Sequence, residues 1–111
     1  MPTQLQRPAS DFFVEAMRER DPYLLRVFGE VDVSTAAELR LAVFEALETA
    51  PRIEIDLGGT SFFDSSGLTV LVGASRLRGF DRDAIRVSNA SRSIRKVLSI
   101  TGLDHIVAVT D

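Results

Sequence analysis

Residues 53–57, Ile53-Glu54-Ile55-Asp56-Leu57, alternate strictly between apolar and acidic. Side chains on a strand point to opposite faces with a period of two, so this run is a strand with one face buried and the other polar. Its flanks constrain the architecture further. Upstream, Ala36, Leu39, Val43, Ala46, Leu47 and Ala50 recur at helical spacing, and Pro51 stops the pattern. Downstream, Gly58-Gly59-Thr60 reads as a turn out of the strand. Phe62-Phe63 then ends an extended segment, and Asp64-Ser65-Ser66-Gly67 opens a second helix that runs to about Arg78. Strands alternating with helices in this way predict a parallel sheet with right-handed crossovers.

The remaining segments fit the same plan. Residues 12–18 read as a first strand, Asp21-Pro22 as a turn, and Tyr23 to Val31 as a second strand with Leu25, Val27 and Val31 on one face. The short gap implies an antiparallel hairpin. Thr35-Ala36-Ala37-Glu38 matches a capping box, with Thr35 as cap and Glu38 reaching back. Leu68, Leu71, Val72 and Ser75 form the inner stripe expected of the second helix, with Gly79 as its stop. A short strand follows at Ala84 to Val87. Ser91 caps a third helix that places Ile94, Val97, Leu98 and Thr101 on one face and ends at Gly102, and Ile106 to Val109 is the last strand. The expected fold is α/β: a mixed sheet, with an antiparallel N-terminal hairpin and parallel strands after it. Glu54 and Asp56 leave one sheet face partly uncovered, which puts the helices mainly on the other.

A chain of 111 residues suits one domain, expected over 11–111, preceded by a polar, loosely held segment at 1–10 with two prolines. No apolar run approaches the roughly 18 residues of a membrane span. The N-terminus lacks the apolar centre of a secretory signal, and there is no cysteine, hence no disulfide or thiolate metal site. The expected location is the cytoplasm, with no membrane partner. Net charge is −3, unevenly placed: residues 1–64 hold 12 acids and 6 bases, residues 65–111 hold 4 acids and 7 bases. The basic stretch from Arg76 to Lys96 is interrupted by Asp81 and Asp83 and carries few aromatics, so it reads as a solvated helix face and not as a nucleic-acid site.

The serine pair at the start of the second helix carries the choice of function. A serine nucleophile on a sharp elbow needs Gly-x-Ser-x-Gly, but Phe63 stands two before Ser65 and Asp64 two before Ser66, while the single histidine, His105, lies near the far end. Gly58-Gly59-Thr60 matches neither phosphate-binding glycine pattern. Asp32, Asp56 and Asp64 near predicted strand ends resemble the acids of a magnesium-dependent phosphoryl-transfer site, but no lysine or second hydroxyl is placed to complete one, and solvated turn acids are the simpler reading. Capping accounts for one of Asp64, Ser65 and Ser66 and leaves the others to solvent or a partner.

Phe63-Asp64-Ser65-Ser66-Gly67-Leu68, after the strand at 53–57, resembles the signature of the anti-sigma factor antagonists, which are STAS-domain proteins. Gly29-Glu30-Val31-Asp32 with Thr35-Ala36, and Thr101-Gly102-Leu103 before the last strand, resemble two further family motifs, and the order of elements agrees over roughly 12–109. The resemblance implies a single STAS-like domain that is not an enzyme and needs no cofactor. Its partner would be an anti-sigma factor that is also a serine kinase, and binding would release a sigma factor. Phosphorylation would fall on the serine after the aspartate, Ser65, with Ser66 as the alternative; a serine phosphatase would act transiently to reset it. The same resemblance places Asp32, Ser34, Thr35, Asp64, Ser66, Gly67 and Leu68 on the partner surface. Two other readings remain: an unphosphorylated STAS interaction module of a larger complex or transporter, and a metal-dependent enzyme using the strand-end acids.

Overall fold

The computed structural model describes residues 11–110, so the segment expected to be loosely held at 1–10 lies outside the described residues. Eight main elements follow in the expected order: β1 (Phe13–Met17), β2 (Tyr23–Val31), α1 (Ala36–Thr49), β3 (Ile53–Phe63), α2 (Ser65–Leu77), β4 (Ile85–Ser88), α3 (Arg92–Ile100) and β5 (Ala108–Val109). Two short 3-10 turns, at Arg82–Ala84 and Leu103–His105, lead into β4 and towards β5. The second turn occupies chain that leaves only two residues for the final strand, so Ile106 and Val107 stand outside it.

The sheet has five strands in the order β1-β2-β3-β4-β5. β1 and β2 pair antiparallel, and β2, β3, β4 and β5 pair parallel. Parallel neighbours in sequence require a crossover, and each of the three helices supplies one. Leu39, Val43, Ala46 and Leu47 of α1, Val70, Leu71 and Ala74 of α2, and Ile94 and Leu98 of α3 join Leu25, Val27, Val31, Ile53, Ile55, Leu57, Ile85 and Val87 in one core. The inner stripe of α2 is therefore rotated from the expected one: Val70 and Ala74 are buried, while Leu68 and Val72 are half-buried at its margin. The stops at Gly79 and Gly102 hold, both with left-handed backbone.

The opposite sheet face carries charge. Arg26 lies 3.7 Å from Glu15 and 3.8 Å from Asp56, Arg86 lies 3.7 Å from Glu54, and the Ser88 hydroxyl donates to Glu54 at 2.7 Å. Asp56 thus faces this side from within β3, not from a strand end. Phe13 and Phe28 stack on the sheet with centroids 4.5 Å apart.

Gly58-Gly59-Thr60 is not a turn. β3 continues through it as an 11-residue strand with two register shifts against β2, so that Asp56 and Gly59 oppose Arg26 and Phe28, and Thr60 and Phe62 oppose Gly29 and Glu30. Each shift inserts one extra residue, which turns the buried spacing from two to three: Leu57, Thr60 and Phe63 point inward. Polar groups seal the bulges, with the Gly58 amide donating to Asp56 Oδ1 at 2.8 Å and the buried Thr60 hydroxyl to the Val27 carbonyl at 3.0 Å. Gly59 is required by the approach of Phe28, since a Cβ there would lie 2.3 Å from the ring.

Candidate functional site

The bulges decide where β3 ends. They bring Phe63 opposite Val31, so the two strands finish level, and the Asp64 amide donates to the Val31 carbonyl at 3.1 Å. The turn after β2 and the start of α2 therefore stand side by side at the carboxyl edge of the parallel strands, the edge at which open α/β sheets commonly present their sites.

At α2, Asp64 is the N-cap, in extended conformation, and its Oδ1 accepts from the Ser66 amide at 2.8 Å. The Gly67 and Leu68 amides donate to the Asp64 carbonyl at 3.0 and 3.3 Å and start the helix ladder. Capping is thus assigned to the acid, which leaves the hydroxyls of both serines outside it. Ser65 is the first residue of the helix and is exposed; Ser66 is half-buried. The Ser65 carbonyl accepts from the Thr69 hydroxyl at 3.0 Å.

Gly67 is buried, and the space it leaves is filled from within the chain. A Cβ there would lie 2.6 Å from Phe63 Cζ and 2.8 Å from Val31 Cγ1. Its missing side chain seats α2 on the ends of β2 and β3. Leu68 is half-buried beside it.

The turn at 32–35 departs from its sequence reading as well. Thr35 occupies the N-cap position of α1 but makes no cap bond with its side chain, so the capping box with Glu38 does not form. The Thr35 hydroxyl is engaged backwards instead, accepting from the Asp32 amide at 2.9 Å and donating to the Glu30 carbonyl at 2.8 Å. Asp32 Oδ1 accepts from the Ser34 amide at 2.9 Å and the Ser34 hydroxyl at 2.7 Å. The Ser34 hydroxyl is the main cause holding the Asp32 carboxyl below the ordinary aspartate range; desolvation works against it, and further bonds from Ser34 and Thr35 work with it. Sequence reasoning found these residues and missed their bonding, because Thr-x-x-Glu before an apolar run signals a cap with or without a rival acceptor nearby.

Asp32 and Asp64 flank the site from its two elements, whereas Asp56 is on the charged sheet face, so the three acids do not converge. Among the described residues, no group of three or more histidine, cysteine, aspartate or glutamate side chains is placed to hold a metal ion. No helix among them is long and apolar enough to cross a membrane.

Comparison with known proteins adds the family. A family model described as "Mlab, STAS domain" matches residues 15–108. The chain belongs to the STAS domain family. This STAS domain is 34% identical over 91 residues to the anti-sigma F factor antagonist of Lysinibacillus sphaericus, covering 78% of this chain and 76% of that one. Among solved structures, it is similar to an anti-sigma factor antagonist from Mycobacterium paratuberculosis, with a TM-score of 0.78 at 24% identity, covering 92% of this chain and 87% of that one. It is also similar to the Bacillus cell fate determinant SpoIIAA in its phosphorylated form, with a TM-score of 0.64 at 26% identity, covering 91% of this chain and 92% of that one.

Proposed function

We propose that this STAS domain is an anti-sigma factor antagonist: it binds an anti-sigma factor that is also a serine kinase, frees a sigma factor, and is switched off when that kinase phosphorylates Ser65. The observation that carries the reading is the division of labour at the start of α2. Asp64 satisfies the helix amide, and Ser65 is left exposed on a rigid edge beside the turn at 32–35. The relatives named antagonists, and the phosphorylated state of one similar structure, support it. A serine phosphatase resets the switch, and the cycle runs in the cytoplasm. The domain itself performs no catalysis; the kinase supplies the chemistry.

The physics of the switch follows from the site. A phosphate adds about −1.5 to −2 charges. At a helix N-terminus that charge is favoured by the dipole and free amides, so modification leaves the fold intact. The effect falls on the interface, through bulk, desolvation and repulsion from acidic groups or nucleotide phosphate on the partner. A 100-fold loss of affinity corresponds to about 2.7 kcal/mol, within reach of one misplaced dianion.

Incubation with the host's anti-sigma factor kinase and ATP tests this. The expected result is a single species heavier by about 80 Da, one phosphate, retained in Ser66→Ala and lost in Ser65→Ala. Ser65→Ala keeps its affinity for the kinase, and Ser65→Asp binds about 100-fold more weakly while staying folded. Phosphate on Ser66 alone moves the switch by one residue; binding with no phosphate at all leaves an interaction module.

A further inference from the structure

The turn between β2 and α1 presents one side chain that its own bonding leaves unused. Asp32, Ser34 and Thr35 are tied to one another and to the end of β2. Between them Val33 is 85% exposed, the highest value among the large apolar side chains described. A lone valine on an ordinary surface needs no explanation. This one differs in place and in stiffness. It stands in the turn beside the start of α2, the two being linked through the Asp64 amide and the Val31 carbonyl at 3.1 Å. The hydrogen bonds at 32, 34 and 35 fix the backbone on both sides of it, and a β-branched side chain has few rotamers to lose.

We propose that Val33 is the apolar anchor through which the anti-sigma factor engages this surface, and that it discriminates among such factors by the pocket they offer. The inference rests on the functional reading above. Asp32, Ser34, Asp64 and Ser66, the neighbours of Val33 and Ser65 in the chain, are polar and exposed or half-buried, and the next apolar side chain of α2, Leu68, is half-buried. Polar contacts there exchange water for partner at small net gain, whereas covering Val33 removes apolar surface from water. A preorganised anchor also loses little freedom on docking. The occupant follows from continuity, since a kinase that reaches Ser65 covers the start of α2 and meets the adjoining turn. Asp32, Ser34 and Thr35 then act as positioning residues that hold Val33 in place.

The test uses the purified anti-sigma factor kinase of the same host, titrated calorimetrically against four proteins: the parent, Val33→Ala, Val33→Asp, and Ile100→Asp as a control. Ile100 is also exposed but lies at the end of α3, where the chain turns back towards the start of β5. The expected losses of affinity are about 5-fold for Val33→Ala and more than about 50-fold for Val33→Asp, the range of interface anchors, with Ile100→Asp at the parent value. For phosphorylation of Ser65, Val33→Asp raises KM and leaves kcat, and thermal midpoints stay level. Binding of Val33→Asp within about 3-fold of the parent overturns the anchor while the switch at Ser65 stands. A kinase that binds neither the parent nor Ser65→Ala overturns the functional reading, and the anchor with it.

Discussion

At Gly67 a single methyl group separates fit from collision. Alanine there meets the rim of Phe63 and Val31, both packed against the core, and overpacking of this kind costs about 1–3 kcal/mol. Urea denaturation of Gly67→Ala is expected to show a loss in that range; an unchanged midpoint would mean that α2 lifts from the strand ends at no cost. Asp64→Ala removes the cap and is expected to cost about 1 kcal/mol, whereas Ser65→Ala, at an exposed position, stays within about 0.5 kcal/mol of the parent. Asp32 sets a pH response. Its carboxylate is favoured in the folded turn, so its contribution is present above the unfolded pKa of about 3.9 and is lost as pH falls through the lower folded value. Asp32→Asn is therefore expected to flatten the acid limb of the stability profile below about pH 4 and to leave its slope unchanged near neutrality. The sequence made Asp64, Ser65 and Asp32 visible as residues of interest. It did not show that Asp64 takes the capping role alone, or that Thr35 turns its hydroxyl back to Glu30, because both depend on which acceptor lies nearest in space.

The elements show the same limit at greater range. Helix α1 has no basic residue in its last turn, yet its end is capped: Arg78, just past α2, donates to the Leu47 carbonyl and, at 3.1 Å, to the Ala50 carbonyl. No local pattern marks a cap supplied from another helix. Arg78→Ala is expected to cost about 1–3 kcal/mol by stranding those carbonyls, with hydrogen exchange accelerating first in the last turn of α1. The neighbouring Ser75 is fully buried on α2 with no hydrogen-bond partner for its hydroxyl among the described residues. Ser75→Ala is therefore expected to hold stability level or raise it by up to about 1 kcal/mol, measured by denaturant unfolding. Ser75 was legible as an inward position from its spacing, but its lack of a partner was not. In β3 the alternation at 53–57 marks the strand, but the chain beyond it continues as strand through residues 58–63 instead of turning. Two glycines together signal a turn in sequence; here they accommodate a bulge and the ring of Phe28.

Across the whole molecule, two faces of one sheet have different work. One carries the core and all three helices. The other carries a row of partly exposed ion pairs, Glu15–Arg26–Asp56 and Glu54–Arg86, at 3.7 to 3.8 Å. Pairs of this kind contribute about 0–1 kcal/mol each, so Arg26→Met is expected to shift stability by less than about 1 kcal/mol at low salt, and by less again in 1 M NaCl. The sequence by itself determined the order of elements, the buried faces of β2 and of β3 over 53–57, the helix stops at Gly79 and Gly102 and, through its motifs, the STAS family. These are properties of local periodicity and of residues with restricted backbones, written over a few neighbouring positions. Only the tertiary structure decided that β3 bulges twice, that Arg78 closes α1, and that Val31 and Phe63 finish level so that the turn at 32–35 and Ser65 share one edge. Each depends on contacts between residues tens of positions apart, where distance and competition for the same hydrogen bond, not sequence spacing, select the partner.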